Sequence, residues 1–258
     1  MTRSKTASEL RAITNGLEYD VVASYFGNND DEIDPYVVCD GVSVNAFNKY
    51  IGDGEGLPIA VRFLYLCDGR VLIVDLATAT KFLAATGNAD EVKNCGSTTA
   101  RRAGNPYKEA DATFGSMGST RNRTPPPAGR SVVNWVTLAV EVGRFQTWAS
   151  LVEAAEWWCN YSGIQYILLL KISATGVQMK YALYDITTLG ILPAPSTSGT
   201  FHRRRHGGPA VYVSFDMHRI LSIPPDEALP PGVNPVAHVN PVAHVNLLIV
   251  MDLVIGSI

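Results

Sequence analysis

The sequence predicts an α/β protein of the α+β kind, a mixed central sheet flanked by helices. Three observations predict it. Apolar runs rich in Val, Ile and Leu, bounded by Gly, Asp and Pro, recur as strands do: "YVVCDGVSV", "AVRFLYLCDGRVLIVDL", "VTLAVEVG" and "IQYILLLKIS". Between them lie two stretches of helical character, "TATKFLAATGNADEV" and "FQTWASLVEAAEWW". The 258 residues, 47% hydrophobic and 17% charged, suffice for a sizeable core in one large domain or one domain with an extension.

Taken in order, residues 1–35 are polar and read as an N-terminal extension ending in the acidic loop "GNNDDEIDP". A domain over 36–225 follows. Its second apolar run reads as a hairpin, with a strand ending at Cys67, a turn at Asp68-Gly69 and a strand from Val71 to Leu76. The first helical stretch offers Thr78 or Thr80 as its N-cap. "CGSTTARRAG" is a turn and a short polar strand, "YKEADATFGS" a short strand carrying Asp111, and "MGSTRNRTPPPAGR" a loop. A strand over 132–143 places Leu138, Val140 and Val142 on one face and Ala139, Glu141 and Gly143 on the other. It feeds a helix from Gln146 to Asn160 whose apolar face is Trp148, Leu151, Val152, Ala155 and Trp158. Strand Ile167–Ile172 joins the central sheet with those around Val71, Asp111 and Val136, and "VQMKYALYDI" pairs with it after a turn at Ala174-Thr175-Gly176. Residues 226–258 form a tail in which "NPVAHV" is duplicated. Its proline every six residues suits neither a continuous helix nor a central strand, so residues 226–246 are expected to add little to the core.

Composition limits the function classes. A net charge of −3 argues against a protein coated in basic charge but leaves room for a local basic groove. Cys39, Cys67, Cys95 and Cys159 form no CxxC pair, and the start "MTRSKTASEL" is polar. Reduced thiols, no signal peptide and an intracellular location, nuclear or cytoplasmic, are the expectation. The longest apolar run, "LLIVMDLVIGSI", is broken by Asp252 and falls short of the ~20 residues that span a bilayer, so no membrane is expected as a partner.

Glu141 is the residue that asks for an explanation. Its neighbours on the same strand face, Ala139 and Gly143, are too small to shield it, and a carboxylate there is costly to desolvate unless a cation or donors meet it. Asp111 sits in the preceding short β segment. If the two segments are neighbours, the carboxylates converge, and two hard oxygen ligands plus waters suit Mg²⁺ or Mn²⁺. The alternative is structural: Asp111 caps a turn and Glu141 pairs with a cation such as Arg144.

"GSTTARRAGNPYKEADATFG", a Pro-rich loop, then "VTLAVEVGRFQTWASLVEAAEWW" and "IQYILLLKI" together resemble the restriction-endonuclease-like PD-(D/E)XK nuclease superfamily, in particular its eukaryotic branch of putative restriction endonucleases. The resemblance runs from about Gly69 to Ile186. It implies a restriction-endonuclease-like fold, hydrolysis of DNA phosphodiesters, Mg²⁺ or Mn²⁺ as cofactor and DNA as partner, and it admits a homodimer. The acids of the motif match Asp111 and Glu141, as metal ligands and catalytic residues. The motif lysine, two positions past the second acid, is replaced by Gly143. Lys171 is the first stand-in for orienting the attacking water and Lys108 the second, while Gln146 could assist by hydrogen bonding. A degenerate member that keeps the fold as a nucleic-acid- or protein-binding module is the competing expectation.

Other signals are weaker. Arg101, Arg102, Arg121 and Arg123, with Arg130, flank the segment around Asp111 as nucleic-acid contacts or as a solubilising loop. "HRRRH" at 202–206 reads as a solvated loop, a metal pair if helical, or a short phosphate-binding run. Trp135, Trp148, Trp157 and Trp158 read as core.

Overall fold

A computed structural model describes residues 4–26, 36–53, 62–65, 69–74, 92–96, 99–144, 146–203, 209–231, 233 and 242–255. Its centre is a mixed six-stranded sheet. The strands, in spatial order, are β4 (Val92–Gly96), β7 (Ala112–Ser116), β8 (Leu138–Gly143), β9 (Tyr166–Ile172), β10 (Gln178–Asp185) and β11 (Thr197–His202), written β4-β7-β8-β9-β10-β11. The β8–β9 pair alone is parallel, with Leu138 opposite Tyr166 and Gly143 opposite Lys171; the other pairs are antiparallel. A parallel pair needs a crossover, supplied by helix α4 (Trp148–Trp158). Thr147 starts that helix by accepting the Ser150 N–H at 3.2 Å, as an N-cap threonine does.

Alternation along β8 and β9 sorts the core into two layers. Leu138, Val140, Val142, Leu168 and Leu170 face one side; Ala139, Ile167 and Leu169 face the other, under Leu151, Ala155 and Trp158 of α4. Ala139 and Gly143 are small because α4 lies over them, and that helix shields the strand face left open in the sequence reading.

The opposite face is covered by the C-terminal segment. β12 (Tyr212–Asp216) pairs antiparallel with β13 (Val242–Asn246), and each strand runs into a helix, α5 (Met217–Leu221) and α6 (Leu247–Ile255). Val213, Phe215, Met217, Ala243, Val245, Leu247, Val250 and Met251 are all buried there. Thr137 donates its hydroxyl to the Ile220 carbonyl at 2.7 Å, fixing α5 to the sheet. The expectation that residues 226–246 add little to the core is therefore corrected for residues 242–246, and Leu247, Val250 and Met251 beyond them are buried as well. The reason is parity: within one "VAHV" unit Ala243 and Val245 face inward and His244 outward, and Pro241 precedes the strand instead of interrupting it. The first copy of the duplication lies outside the described residues.

A smaller core packs helix α1 (Ala7–Asn15) and α3 (Val44–Gly52) on a three-stranded antiparallel sheet of β1 (Tyr36–Cys39), β3 (Val71–Val74) and β2 (Arg62–Tyr65). Leu10 and Val22, the latter on helix α2 (Tyr19–Phe26), are buried with Phe47 and Tyr50. Residues 7–26 are thus folded rather than a bare polar extension: an amphipathic helix of mostly polar residues needs only Leu10 and Thr14 inward, too few to colour its composition. β2 and β3 pair as a hairpin, as expected, but in this separate sheet and not in the central one. Asn48 of α3 ties the two parts together, donating to the Asn105 carbonyl at 2.8 Å and accepting from Tyr107 N–H at 2.7 Å.

Two boundaries move. The strand expected over 132–143 begins at Leu138, because residues 131–137 turn through a loop in which Thr137 N–H donates to the Phe114 carbonyl. The helix expected over 146–160 spans Trp148–Trp158. The helix expected after Thr78, with Asp90 and Glu91, lies outside the described residues. Among the described residues no helix is long and apolar enough to cross a membrane.

Candidate functional site

The site follows from the β7–β8 register. Ala112 lies opposite Val140 and Thr113 opposite Ala139; one step outward on the two chains stand Asp111 and Glu141. The backbone N–H of Val142 donates to Asp111 Oδ2 at 2.6 Å, holding that carboxylate against β8 one residue past Glu141. Asp111 is 9% exposed and Glu141 1%. Two acids so desolvated require compensation, since a buried carboxylate without donors or a cation is costly.

Glu141 receives it from two directions. The indole N–H of Trp158 donates to Oε1 at 2.7 Å from the last turn of α4. The ammonium of Lys108, on the short strand β6 (Lys108–Glu109), lies 3.8 Å from the same oxygen. β6 pairs with β5 (Thr99–Ala100), and Thr99 Oγ1 donates to Glu109 Oε1 at 2.6 Å, which fixes the two-stranded ribbon that carries Lys108. The Lys108 ammonium is thus brought to Glu141, and Asp111 is held on the same strand one residue further along.

The two lysine candidates are placed differently. Lys171 stands beside Gly143 across the β8–β9 ladder and donates to the Arg144 carbonyl at 2.7 Å. Lys108, ranked second from sequence, has its ammonium beside Glu141. Arg144, the structural partner weighed for Glu141, donates to the Ala174 carbonyl at 2.8 Å. Gln146 sits just before α4 and forms one wall around Gly143. A Cβ added at Gly143 would meet Leu151 Cδ1 at 3.1 Å and Gln146 Cβ at 3.2 Å. The position where the resemblance calls for lysine is therefore closed by α4 and the turn that enters it.

Arg102 and Arg130 lie at the C-terminal end of α4. Arg101 packs on Tyr107, Arg102 on Trp157, Arg130 on Tyr161 and Arg123 on Trp135; Arg121 stands exposed in the preceding turn. Trp135 and Trp158 are buried and Trp148 and Trp157 partly buried, so the tryptophans are core. His202 ends β11, while Arg204, Arg205 and His206 lie outside the described residues. Among the described residues no group of three or more His, Cys, Asp or Glu side chains gathers as a metal site.

Two partners of Glu141 were missed or ranked low from sequence. Trp158 was legible only as a core residue: it shares the α4 face of Leu151 and Ala155, and that face covers the strand face carrying Glu141. Had the two faces been matched, an indole donor over the carboxylate would have followed. For Lys108 no comparable signal exists, because its approach depends on how the β5–β6 ribbon folds back. No family model matches the chain, and neither does any curated protein.

Proposed function

We propose that this chain is a restriction-endonuclease-like, metal-dependent nuclease that hydrolyses DNA phosphodiester bonds, with Asp111 and Glu141 as the ligands of Mg²⁺ or Mn²⁺. One observation carries the reading: the two acids flank the same point of adjoining strands, with the Lys108 ammonium at Glu141. The donor set fits a hard divalent cation, since two carboxylates supply hard oxygens and such ions keep several waters to complete their shell. When bound, the metal would polarise a phosphoryl oxygen and make a water acidic enough to attack at neutral pH.

The chain's own groups have distinct tasks in this reading. Val142 N–H fixes the Asp111 carboxylate, and the Trp158 indole fixes Glu141, so both ligands are held in place before substrate arrives. Lys108 supplies the charge that the missing motif lysine would carry. Its ammonium orients a water and offsets negative charge growing on the phosphate.

The second reading is a catalytically degenerate fold kept as a nucleic-acid- or protein-binding module. Two observations favour it: the Glu141 carboxylate is already engaged by Trp158 and Lys108, and the motif's lysine position is walled off around Gly143.

Cleavage of supercoiled plasmid separates the two. Conversion to nicked or linear DNA is expected with Mg²⁺ or Mn²⁺, none with chelator, and none with Asp111→Asn or Glu141→Gln. Lys108→Ala is expected to slow cleavage about 10²-fold, the cost typical of removing one preorganised charge-stabilising group, and more than Lys171→Ala does. Metal-independent cleavage, or cleavage that survives loss of either acid, contradicts the assignment. Retained DNA binding without cleavage favours the degenerate module.

A further inference from the structure

Four guanidinium groups are held on aromatic rings. Arg101 Cζ lies 4.9 Å from the Tyr107 ring centre, Arg102 Cζ 5.0 Å from Trp157, Arg130 Cζ 3.7 Å from Tyr161 and Arg123 Cζ 5.6 Å from Trp135. The pairs form a connected row. Arg130 donates to the Arg101 carbonyl at 2.9 Å, and Arg102 to the Trp157 carbonyl at 2.9 Å. The Trp157 and Tyr161 rings stack at 6.1 Å, which sets Arg102 and Arg130 side by side. Tyr161 in turn donates its hydroxyl to the carbonyl of Asn134, next to Trp135. Gly163, at φ +97°, lets the Trp135 indole in: a Cβ there would lie 2.4 Å from its Nε1.

Like charges in a row repel, and a fold that needed them only for cohesion would pair them with acids. Among the described residues none of the four is in an ion pair with a carboxylate. Burial, with the Arg130 charge alongside, pushes the Arg102 guanidinium below its ordinary value. The missing counter-charge is that of an extended polyanion, because the sites form a row rather than a single pocket. The rings are unavailable for stacking bases: Tyr161 and Trp135 are buried, and each ring already carries a guanidinium on its face.

From this row we infer a phosphate track that grips a nucleic-acid strand by its backbone and without regard to sequence, Arg101, Arg102, Arg130 and Arg123 each taking a phosphate. It rests on the nucleic-acid reading above but not on catalysis. A net charge of −3 over the whole chain makes the track a local feature, and phosphate affinity follows the local field.

The test is fluorescence anisotropy of labelled DNA duplexes of unrelated sequence with the full chain, in chelator so that no cleavage occurs, over a range of salt. Four phosphate contacts predict a slope of log K against log salt of about −3.6 on duplex DNA, at about −0.9 per contact. Unrelated sequences are expected to bind alike within about twofold, as backbone contacts carry no sequence information. In the double variant Arg102→Gln/Arg130→Gln the slope is expected to fall to about −1.8. Arg102→Lys/Arg130→Lys keeps the charge and should keep most of the slope, which separates lost charge from a disturbed fold. An unchanged slope in the Gln variant, strong sequence dependence, or equal arginine-dependent binding to anionic lipid vesicles overturns the inference. Arginine-dependent binding by a protein that never cleaves would leave the track standing and remove the nuclease reading. Metal-dependent cleavage with an unaltered slope would do the reverse.

Discussion

Glu141 is held inside the protein by an indole N–H at 2.7 Å and an ammonium at 3.8 Å, so its burial depends on two residues distant in sequence. Trp158→Phe removes the donor while keeping most of the ring. It should cost about 1.5–3 kcal/mol, the range for a hydrogen bond to a charged group, read from urea unfolding. Gly143→Ala is expected to cost about 1–3 kcal/mol, because the new methyl must push Leu151 and Gln146 aside in a packed layer. Restoring the motif with Gly143→Lys should be worse for folding, which makes Lys108 the better lysine to test. Titration gives a third residue-scale outcome. Burial raises the phenols of Tyr161, Tyr166 and Tyr184 above the ordinary value of 10.0. A group raised in the folded state holds its proton there while the unfolded chain releases it. Its contribution is complete below about pH 10 and lost as pH climbs through the folded value. Thermal midpoints should therefore decline above about pH 10, and ultraviolet titration should find these phenols ionising later than in the unfolded chain. The anomaly at Glu141 was legible in the sequence because its same-face neighbours, Ala139 and Gly143, are too small to shield a carboxylate. Its resolution was not, because Trp158 and Lys108 arrive through tertiary packing.

At the scale of elements, β8, α4, β9 and β10 were readable because each carries its own period and stop signals. The same holds for the β9–β10 pairing across Gly176, whose φ of +68° suits a tight turn. Strand β13 was misjudged for a definable reason: the repeated proline looks like a breaker, yet Val242–Asn246 follows Pro241 in sequence and keeps its own alternation. β12–α5 and β13–α6 are two copies of one device, a strand whose last side chain caps the next helix. Asp216 accepts the His218 N–H at 2.9 Å, and Asn246 accepts the Leu248 N–H at 3.0 Å. Truncation before Asp226 removes β13 and α6 and uncovers Val213 and Phe215. Several buried apolar side chains at about 1.5–3 kcal/mol each approach the whole stability of a domain. Loss of the cooperative thermal transition is expected; a midpoint equal to the full chain would mean that this layer is not docked. β11, short and polar, gave no periodic signal strong enough to place it, and the pairing of β5 with β6 into a ribbon could not be read from two short polar strands.

For the whole molecule, α4 covers one face of the six-stranded sheet and the C-terminal layer covers the other; Asp111 and Glu141 stand at the β7–β8 junction, with Glu141 against the last turn of α4. The fold class was legible from the order of apolar runs. The division into two cores was not, since Val71–Val74 reads as a buried strand whichever sheet it joins. The central claim is that Asp111 and Glu141 together hold one divalent cation. The most direct measurement is a titration of the full chain with Mn²⁺, following the free-ion signal by electron paramagnetic resonance. One Mn²⁺ is expected to bind per chain and to be displaced by Mg²⁺, with binding lost in Asp111→Asn and in Glu141→Gln but kept in Lys108→Ala. Mn²⁺ uptake unchanged by either acid substitution, or none by the unaltered chain, would contradict it.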